Sequence, residues 1–144
     1  MVKAETIYAG CVVIGEAGIL IRGGPKTGKS TLARELVFHA NQACMFARLV
    51  SDDRTRIEPC GSRLVVRPVP PIEGQIEVRG VGIMAVSFEK AAVLRLVIDL
   101  FPEDPPRYPE EAEAQAVLCG VLLPRLASRT GTPLSDVVLS RLRV

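Results

Sequence analysis

Residues 18–37 read GILIRGGPKTGKSTLARELV, a short apolar strand followed by a glycine-rich loop and then by apolar residues at helical spacing. Within this stretch, residues 23–30 match G-x-x-x-x-G-K-[ST], the Walker A pattern of a phosphate-binding loop, or P-loop, in the required position between a strand and a helix. Glycines let backbone N–H groups approach phosphate oxygens, and the helix N-terminus adds partial positive charge. The stretch therefore predicts an α/β fold that holds a phosphate.

Each residue type in the loop has a chemical reason to be there. Lys29 is expected to bridge the β- and γ-phosphates of a bound nucleotide, and Ser30 to hold Mg²⁺. Lys26 adds a second positive charge, which favours a highly charged phosphate donor. The alternative is a glycine turn at a helix start that happens to carry lysine and serine. The predicted phosphate-binding residues are Gly23, Gly24, Pro25, Lys26, Thr27, Gly28, Lys29, Ser30 and Thr31.

Length and composition limit the class of protein. A chain of 144 residues predicts a single domain over residues 1–144, and no apolar run is long enough to span a membrane. The start, MVKAETIYAG, lacks the pattern of a secretory signal, so we expect a cytoplasmic protein with its four cysteines as reduced thiols. A net charge of +2 and an aromatic content of 4% argue against a nucleic-acid partner.

The remaining elements are predicted from apolar periodicity and turn residues. Two hairpins are expected, one over residues 6–21 and one over 57–69, with a helix from the loop to Asn41 and a buried strand over 45–50 between them. Short strands follow at 76–79 and 93–100, although residues 91–97 also fit a helix. A helix over about 110–122, a break at Pro124 and an amphipathic segment over 134–142 complete a helical C-terminus.

Carboxylates follow the third predicted strand, where Asp52 and Asp53 come directly after Ser51. In such a fold this end of the sheet faces the phosphate loop. One carboxylate is placed to complete a Mg²⁺ shell, and the other to accept the proton of an attacking hydroxyl. Capping of a turn is the alternative reason for an Asp pair. A complete Walker-type ATPase or GTPase needs more chain than this sequence has, so the residues that follow decide the class.

The stretch over residues 70–83 limits further which class of phosphate-binding protein the chain belongs to. It contains Pro70-Pro71-Ile72 and then QIEVRGVGI over residues 75–83. Together with the loop and the Asp pair, in this order and spacing from about residue 6 to 86, it resembles the catalytic domain of the HPr kinase/phosphorylase family. These enzymes phosphorylate a serine of HPr, the phosphocarrier of the bacterial sugar phosphotransferase system. The chain looks like the short, catalytic-domain-only form found in α-proteobacteria.

The resemblance implies roles for individual residues. Asp53 would be the base towards the target serine and the acid in the reverse reaction, while Asp52 and Glu77 would support metal and phosphate. Arg79 and Gly80 would belong to the motif associated with the phosphorylase reaction. Independently of the family, Glu77 and Arg79 stand two residues apart on a strand and so share one face, which suits a phosphate–metal site or a plain ion pair.

The resemblance also implies the wider properties of the molecule. The donor would be ATP with Mg²⁺, and the partner an HPr-like phosphocarrier. The fold would be a P-loop α/β domain with a strand-rich mixed sheet, similar to the nucleotide domain of phosphoenolpyruvate carboxykinase. A homo-oligomer is expected, since family members are commonly hexamers, and the expected helix over residues 114–123 would pack on the sheet or on a neighbouring subunit.

Two positions depart from the family pattern. Tyr8 stands fifteen residues before Gly23, where the family carries a histidine thought to assist the catalytic aspartate. A tyrosine carries no positive charge at neutral pH, which puts the phosphorylase reaction in doubt. The later arginine-containing loop of the family is not recognisable, and Arg107 is the candidate for a transition-state arginine. His39 is expected on the surface of the helix that follows the loop.

Three functions remain compatible with the sequence. The first is an ATP-dependent serine kinase acting on HPr, with Lys29, Ser30-bound metal and Asp53 at its centre. The second is a regulatory module that senses a nucleotide or phosphate and transfers weakly or not at all. The third is a kinase of the same fold that acts on a small molecule or an unrelated protein. The choice of phosphate donor between ATP and pyrophosphate also stays open.

Overall fold

A computed structural model describes residues 3–142 of the chain. The described residues form a mixed α/β fold with eleven strands and two α-helices. The strands are β1 (Glu5–Ile7), β2 (Ala9–Ile14), β3 (Ala17–Arg22), β4 (Ala47–Ser51), β5 (Thr55–Cys60), β6 (Arg63–Pro68), β7 (Gln75–Val78), β8 (Gly82–Ala85), β9 (Ala92–Phe101), β10 (Gln115–Leu118) and β11 (Val121–Arg129). The helices are α1 (Lys29–Gln42) and α2 (Ser135–Leu142).

Nine of these strands build one sheet in the order β1-β5-β6-β9-β3-β2-β4, with β11 beside β9 and β10 beside β11. The neighbours β3, β9 and β11 run parallel, whereas the other pairs in this sheet are antiparallel. Strands β7 and β8 form a separate antiparallel hairpin. Because β3 and β9 lie side by side and run in the same direction, their carboxyl ends meet at one edge, where the glycine loop begins.

The two faces of the sheet are covered differently. Helices α1 and α2 pack on one face, where Ile19 and Ile21 of β3 meet Leu36 of α1 and Val138 of α2 in one buried cluster. On the opposite face, Leu20 packs in a second cluster with residues of the β5–β6 and β10–β11 hairpins. Strand β3 is therefore buried on both faces, as expected of a parallel strand at the centre of a sheet.

Several predicted elements are confirmed. The hairpins are β2–β3 and β5–β6, and the helix after the loop is α1. The strands predicted at 45–50, 76–79 and 93–100 correspond to β4, β7 and β9. The final amphipathic segment is α2, a single short helix of eight residues.

The helix predicted over residues 110–122 is wrong. One turn of 3-10 helix covers Glu111–Ala114, and the chain then forms β10 and β11. Residues 115–118 pair with 121–124, and residues 125–129 pair in parallel with β9. The predicted break at Pro124 is also wrong, because Pro124 lies inside β11, at the point where the pairing of β11 passes from β10 to β9.

Within residues 3–142, no helix is both long enough and apolar enough to cross a membrane.

Candidate functional site

The glycine loop connects the end of β3 to the start of α1. Gly28 stands immediately before α1 with a left-handed backbone at φ 87°, a conformation that glycine adopts without a steric cost. The Thr27 hydroxyl donates a hydrogen bond to the carbonyl of Gly24 at 2.8 Å. The Lys29 ammonium donates to the carbonyls of Gly23 at 3.0 Å and Gly24 at 2.9 Å, so this charge lies over the loop.

The two neighbouring glycines of the loop have different surroundings. A Cβ at Gly23 would overlap the Thr27 side chain and come within 3.2 Å of the Leu100 carbonyl oxygen. A Cβ at Gly24 would make only an ordinary contact of 3.9 Å with Thr27. The loop packs this closely at Gly23 because its first residue passes directly over the end of β9.

Gly23→Ala is therefore expected to lower the free energy of unfolding by about 1 to 3 kcal/mol, because the added methyl group overpacks the loop against Thr27 and β9. Gly24→Ala is the matched control and is expected to change stability much less. Urea unfolding of both variants measures the difference. Equal losses for the two variants would contradict the tight approach at Gly23.

The predicted Asp pair divides into a buried and an exposed carboxylate. Asp52 is 7% exposed, accepts a hydrogen bond from the Ser30 hydroxyl at 2.6 Å, and accepts a second from the backbone N–H of Glu77 at 3.0 Å. Asp53 is exposed, with a left-handed backbone at φ 65°. Few residues other than glycine adopt that conformation, although Asp and Asn do so more often than most, and it turns the chain sharply after β4.

A cavity of about 270 Å³ brings most of the predicted site residues together. Its wall is formed by the loop from Pro25 to Thr31 and by Asp53, Glu77 and Arg79. Strand β7 supplies Glu77, and Arg79 directly follows this strand. The cavity therefore combines the positively charged side chains of Lys26, Lys29 and Arg79 with the carboxylates of Asp53 and Glu77.

The oxygen atoms around Ser30 have the chemistry that Mg²⁺ requires. The Ser30 hydroxyl and the Asp52 carboxylate lie in direct contact, and Asp52 also holds the backbone of Glu77. Mg²⁺ in nucleotide sites commonly takes one or two protein oxygens and completes its shell with phosphate and water. Residues 3–142 contain no cluster of three or more His, Cys, Asp and Glu side chains placed to hold a metal. The paired oxygens of Ser30 and Asp52 fit a metal that is shared with phosphate.

Other residues singled out in the sequence lie outside this cavity. Tyr8 is 74% exposed in the bend between β1 and β2, at the loop end of the sheet. Arg107 is exposed in the segment after β9, with its guanidinium 6.0 Å from the centre of the Tyr108 ring. Gly80 forms a turn at φ 82° after β7. His39 is on the exposed surface of α1, where its Nδ1 lies 2.9 Å from the Ser135 hydroxyl.

A partly buried ion triad at the base of the loop was missed in the sequence. Asp99 of β9 accepts two hydrogen bonds from Arg22, at 2.7 and 2.8 Å, and another from Arg125 of β11. Burial alone would raise the pKa of Asp99, but the hydrogen bonds and charges of Arg22 and Arg125 outweigh it and hold the pKa below its usual value. A signal was present, since a lone aspartate in the apolar run of β9 needs a partner.

Thr130 was also missed. It follows β11, its hydroxyl donates to the Thr27 carbonyl at 2.9 Å, and its backbone N–H donates to the Phe101 carbonyl at 2.8 Å. These bonds fasten the glycine loop to the end of the sheet. A separation of 103 residues between Thr130 and Thr27 leaves no local signal of the contact.

A larger cavity, of about 610 Å³, is a groove along α1 that Leu49, Ile76 and Val86 also line. Neither Lys29 nor Asp53 lines it. Its size alone therefore does not make it the candidate site, because the polar groups suited to phosphate chemistry lie elsewhere.

Comparisons with known proteins identify the family and the fold of the chain. The family model described as HPr Serine kinase C-terminal domain matches residues 1–105. The structure of the Hpr(Ser) kinase/phosphatase from Coxiella burnetii superposes with a TM-score of 0.75 at 22% identity, covering 96% of this chain and 94% of that one, and so shares its fold. No curated protein matches the sequence. The family match spans well over half of the 144 residues, and the chain belongs to the family of the HPr serine kinase C-terminal domain.

Proposed function

We propose that the protein is an ATP-dependent serine kinase that phosphorylates an HPr-like phosphocarrier. The observation that carries the proposal is the shared cavity, in which Lys29 and Ser30 of the loop lie with Asp53, Glu77 and Arg79. Membership of the HPr kinase family supplies the class of reaction and of partner. A serine hydroxyl that enters the cavity from the Asp53 side would approach a phosphate held by the loop.

Each residue then has a defined role. Residues 23–31 bind the donor phosphates through backbone N–H groups and the Lys29 ammonium. Asp53 orients the target hydroxyl and accepts its proton, while Arg79 balances charge on the transferred group. Ser30, Asp52 and Glu77 would hold Mg²⁺. When bound, this ion neutralises charge on the donor phosphates.

The same proposal covers the finer features of the molecule. Residues 1–144 act as a single catalytic domain with a P-loop, similar to the nucleotide domain of phosphoenolpyruvate carboxykinase. The site needs no nucleic acid, and a phosphocarrier of bacterial sugar uptake places the reaction in the cytoplasm. A homo-oligomer, such as the family's hexamer, is the proposed assembly. Apolar residues exposed on β8 and its flank, Val81, Ile83 and Met84, offer surface for such contacts.

Transfer of labelled phosphate tests the proposal directly. The protein is incubated with γ-labelled ATP, Mg²⁺ and HPr, or with HPr whose acceptor serine is replaced by alanine. Labelling of the first HPr and not of the second supports the kinase. ATP binding without labelling would instead favour a nucleotide sensor, and labelling of another protein in place of HPr would favour a different substrate. Repeating the reaction with pyrophosphate in place of ATP compares the two donors.

Tyr8 gives a further expectation, because its side chain is exposed and does not line the cavity. Tyr8→Phe removes only the hydroxyl and is expected to keep the forward transfer rate within about twofold of the wild type, as for a surface residue. Initial rates at saturating ATP measure the effect. A loss of tenfold or more would contradict this expectation and give the hydroxyl a part in the reaction.

A further inference from the structure

The glycine loop borders a second cavity on its other side. This cavity measures about 240 Å³ and shares Lys26, Thr27, Gly28, Thr31 and Arg79 with the first one. The two cavities differ beyond this shared wall. The first is closed by Asp53 and Glu77, whereas the second is closed by the turn Thr130-Gly131-Thr132 that follows β11.

The lining of the second cavity differs chemically from that of the first. Leu32 and Leu100, which are 6% and 5% exposed, supply apolar surface. The Thr130–Thr132 turn adds threonine hydroxyl groups at the edge, while the backbone N–H groups of Thr130 and Thr132 donate to carbonyls of the protein itself. Glu35 of α1 also lines the cavity and adds a carboxylate that accepts hydrogen bonds. Apolar surface with a few hydrogen-bonding groups and this carboxylate suits an aromatic ligand with polar edges, rather than a phosphate chain.

The direction of a bound donor follows from the proposed function, on which this inference rests. The phosphate to be transferred must face Asp53, in the first cavity. The other phosphates then run along the loop towards the N-terminus of α1, where the backbone N–H groups lie. The rest of the donor therefore leaves the loop on the side away from Asp53, where the second cavity lies.

We propose that this second cavity binds the nucleoside of the phosphate donor, with the Thr130–Thr132 turn as its outer wall. The turn is held in place because Thr130 is hydrogen-bonded both to Thr27 of the loop and to Phe101 at the end of β9. The part of the chain after residue 105, which the family model does not match, thus completes the nucleotide site.

Filling the cavity tests the proposal. Thr132 is exposed, so Thr132→Trp adds bulk at the cavity wall without disturbing the core. Calorimetric titration with ATP and with inorganic tripolyphosphate, both with Mg²⁺, compares a ligand that has a nucleoside with one that lacks it. We expect Thr132→Trp to weaken ATP binding at least about tenfold and to leave tripolyphosphate binding unchanged. Thr6→Trp, at an exposed threonine of β1, is the matched control and should bind both ligands like the wild type.

Other results would overturn the proposal. If Thr132→Trp weakens both ligands equally, or neither, the nucleoside does not occupy this cavity, while the phosphate loop and the proposed kinase remain intact. If the wild type binds tripolyphosphate but not ATP, the nucleoside cavity is again refuted. If the wild type binds neither ligand, the proposed function fails together with the inference.

Discussion

The Asp53→Asn variant is expected to phosphorylate its acceptor serine about 10²- to 10⁴-fold more slowly than the wild type, the usual contribution of general base catalysis. An amide has nearly the shape of the carboxylate but does not accept the hydroxyl proton. Asparagine also tolerates the left-handed backbone that Asp53 adopts, so the turn after β4 is retained. The change therefore isolates the charge of one exposed side chain.

Initial rates of serine labelling at saturating ATP and HPr measure this effect. Nucleotide affinity should stay within about threefold of the wild-type value, because Asp53 would act on the acceptor and not on the donor. Asp136→Asn, at an exposed aspartate of α2, is the matched control and should leave the rate unchanged. A rate for Asp53→Asn above a tenth of the wild-type rate would exclude Asp53 as the base.

The second large effect concerns stability. Asp99→Asn is expected to lower the free energy of unfolding by about 3 kcal/mol near neutral pH, because it leaves Arg22 and Arg125 close together without their shared counter-charge. The side chains of Arg22 and Arg125 are only 32% and 18% exposed, so water replaces the lost partner only in part. Urea unfolding of the variant and the wild type measures the difference.

The pH dependence of this difference has a defined sign. The pKa of Asp99 is lower in the folded protein than its usual value, so the carboxylate stabilises the fold fully above about pH 4. This stabilisation is lost as the pH falls through the lowered pKa. The gap between wild type and Asp99→Asn should therefore be constant from neutral pH to about pH 5 and narrow below about pH 4.

Glu58 provides a control for burial. It also lies between two arginines, Arg56 at 2.8 Å and Arg67 at 3.2 Å, but at the surface of the β5–β6 hairpin. Solvent screens such exposed pairs, so Glu58→Gln is expected to destabilise the protein much less than Asp99→Asn. Equal losses of unfolding free energy in the two variants would show that the position of the triad inside the sheet does not increase its contribution to stability.

The amino-acid sequence predicts the first two thirds of the fold well because its signals there are local. The β2–β3 hairpin has its turn residues between apolar strands, and the loop motif fixes the strand before it and the helix after it. Residues 110–122 fail for the opposite reason. Their alanines and glutamates favour a helix, yet residues 115–118 pair with β11, so tertiary pairing overrides local propensity.

The residues of the candidate site also fall into two groups, those that sequence motifs identify and those that they do not. Lys29, Ser30, Asp53, Glu77 and Arg79 are recognisable from motifs, and they line one cavity. The loop's supports are not recognisable, since Arg125 lies in β11 and Thr130 directly follows it, whereas sequence patterns predict the end of a helix and a break at Pro124 where this strand begins. A sequence motif identifies the residues that line the cavity. The residues that hold them in place depend on the order of the strands, which no short sequence pattern predicts.

The hydrogen bond from Thr130 to Thr27 also bears on how the protein is made. A chain released from the ribosome N-terminus first exposes residues 23–30 long before residue 130 has been synthesised. Strand β9, which pairs with β3, begins only at residue 92, whereas α1 begins at residue 29. Parallel pairing between such distant segments is slow, because the intervening chain must first be ordered. The glycine loop therefore gains its contacts with Thr130 only after nearly the whole chain has been translated, and a product truncated before residue 130 lacks them.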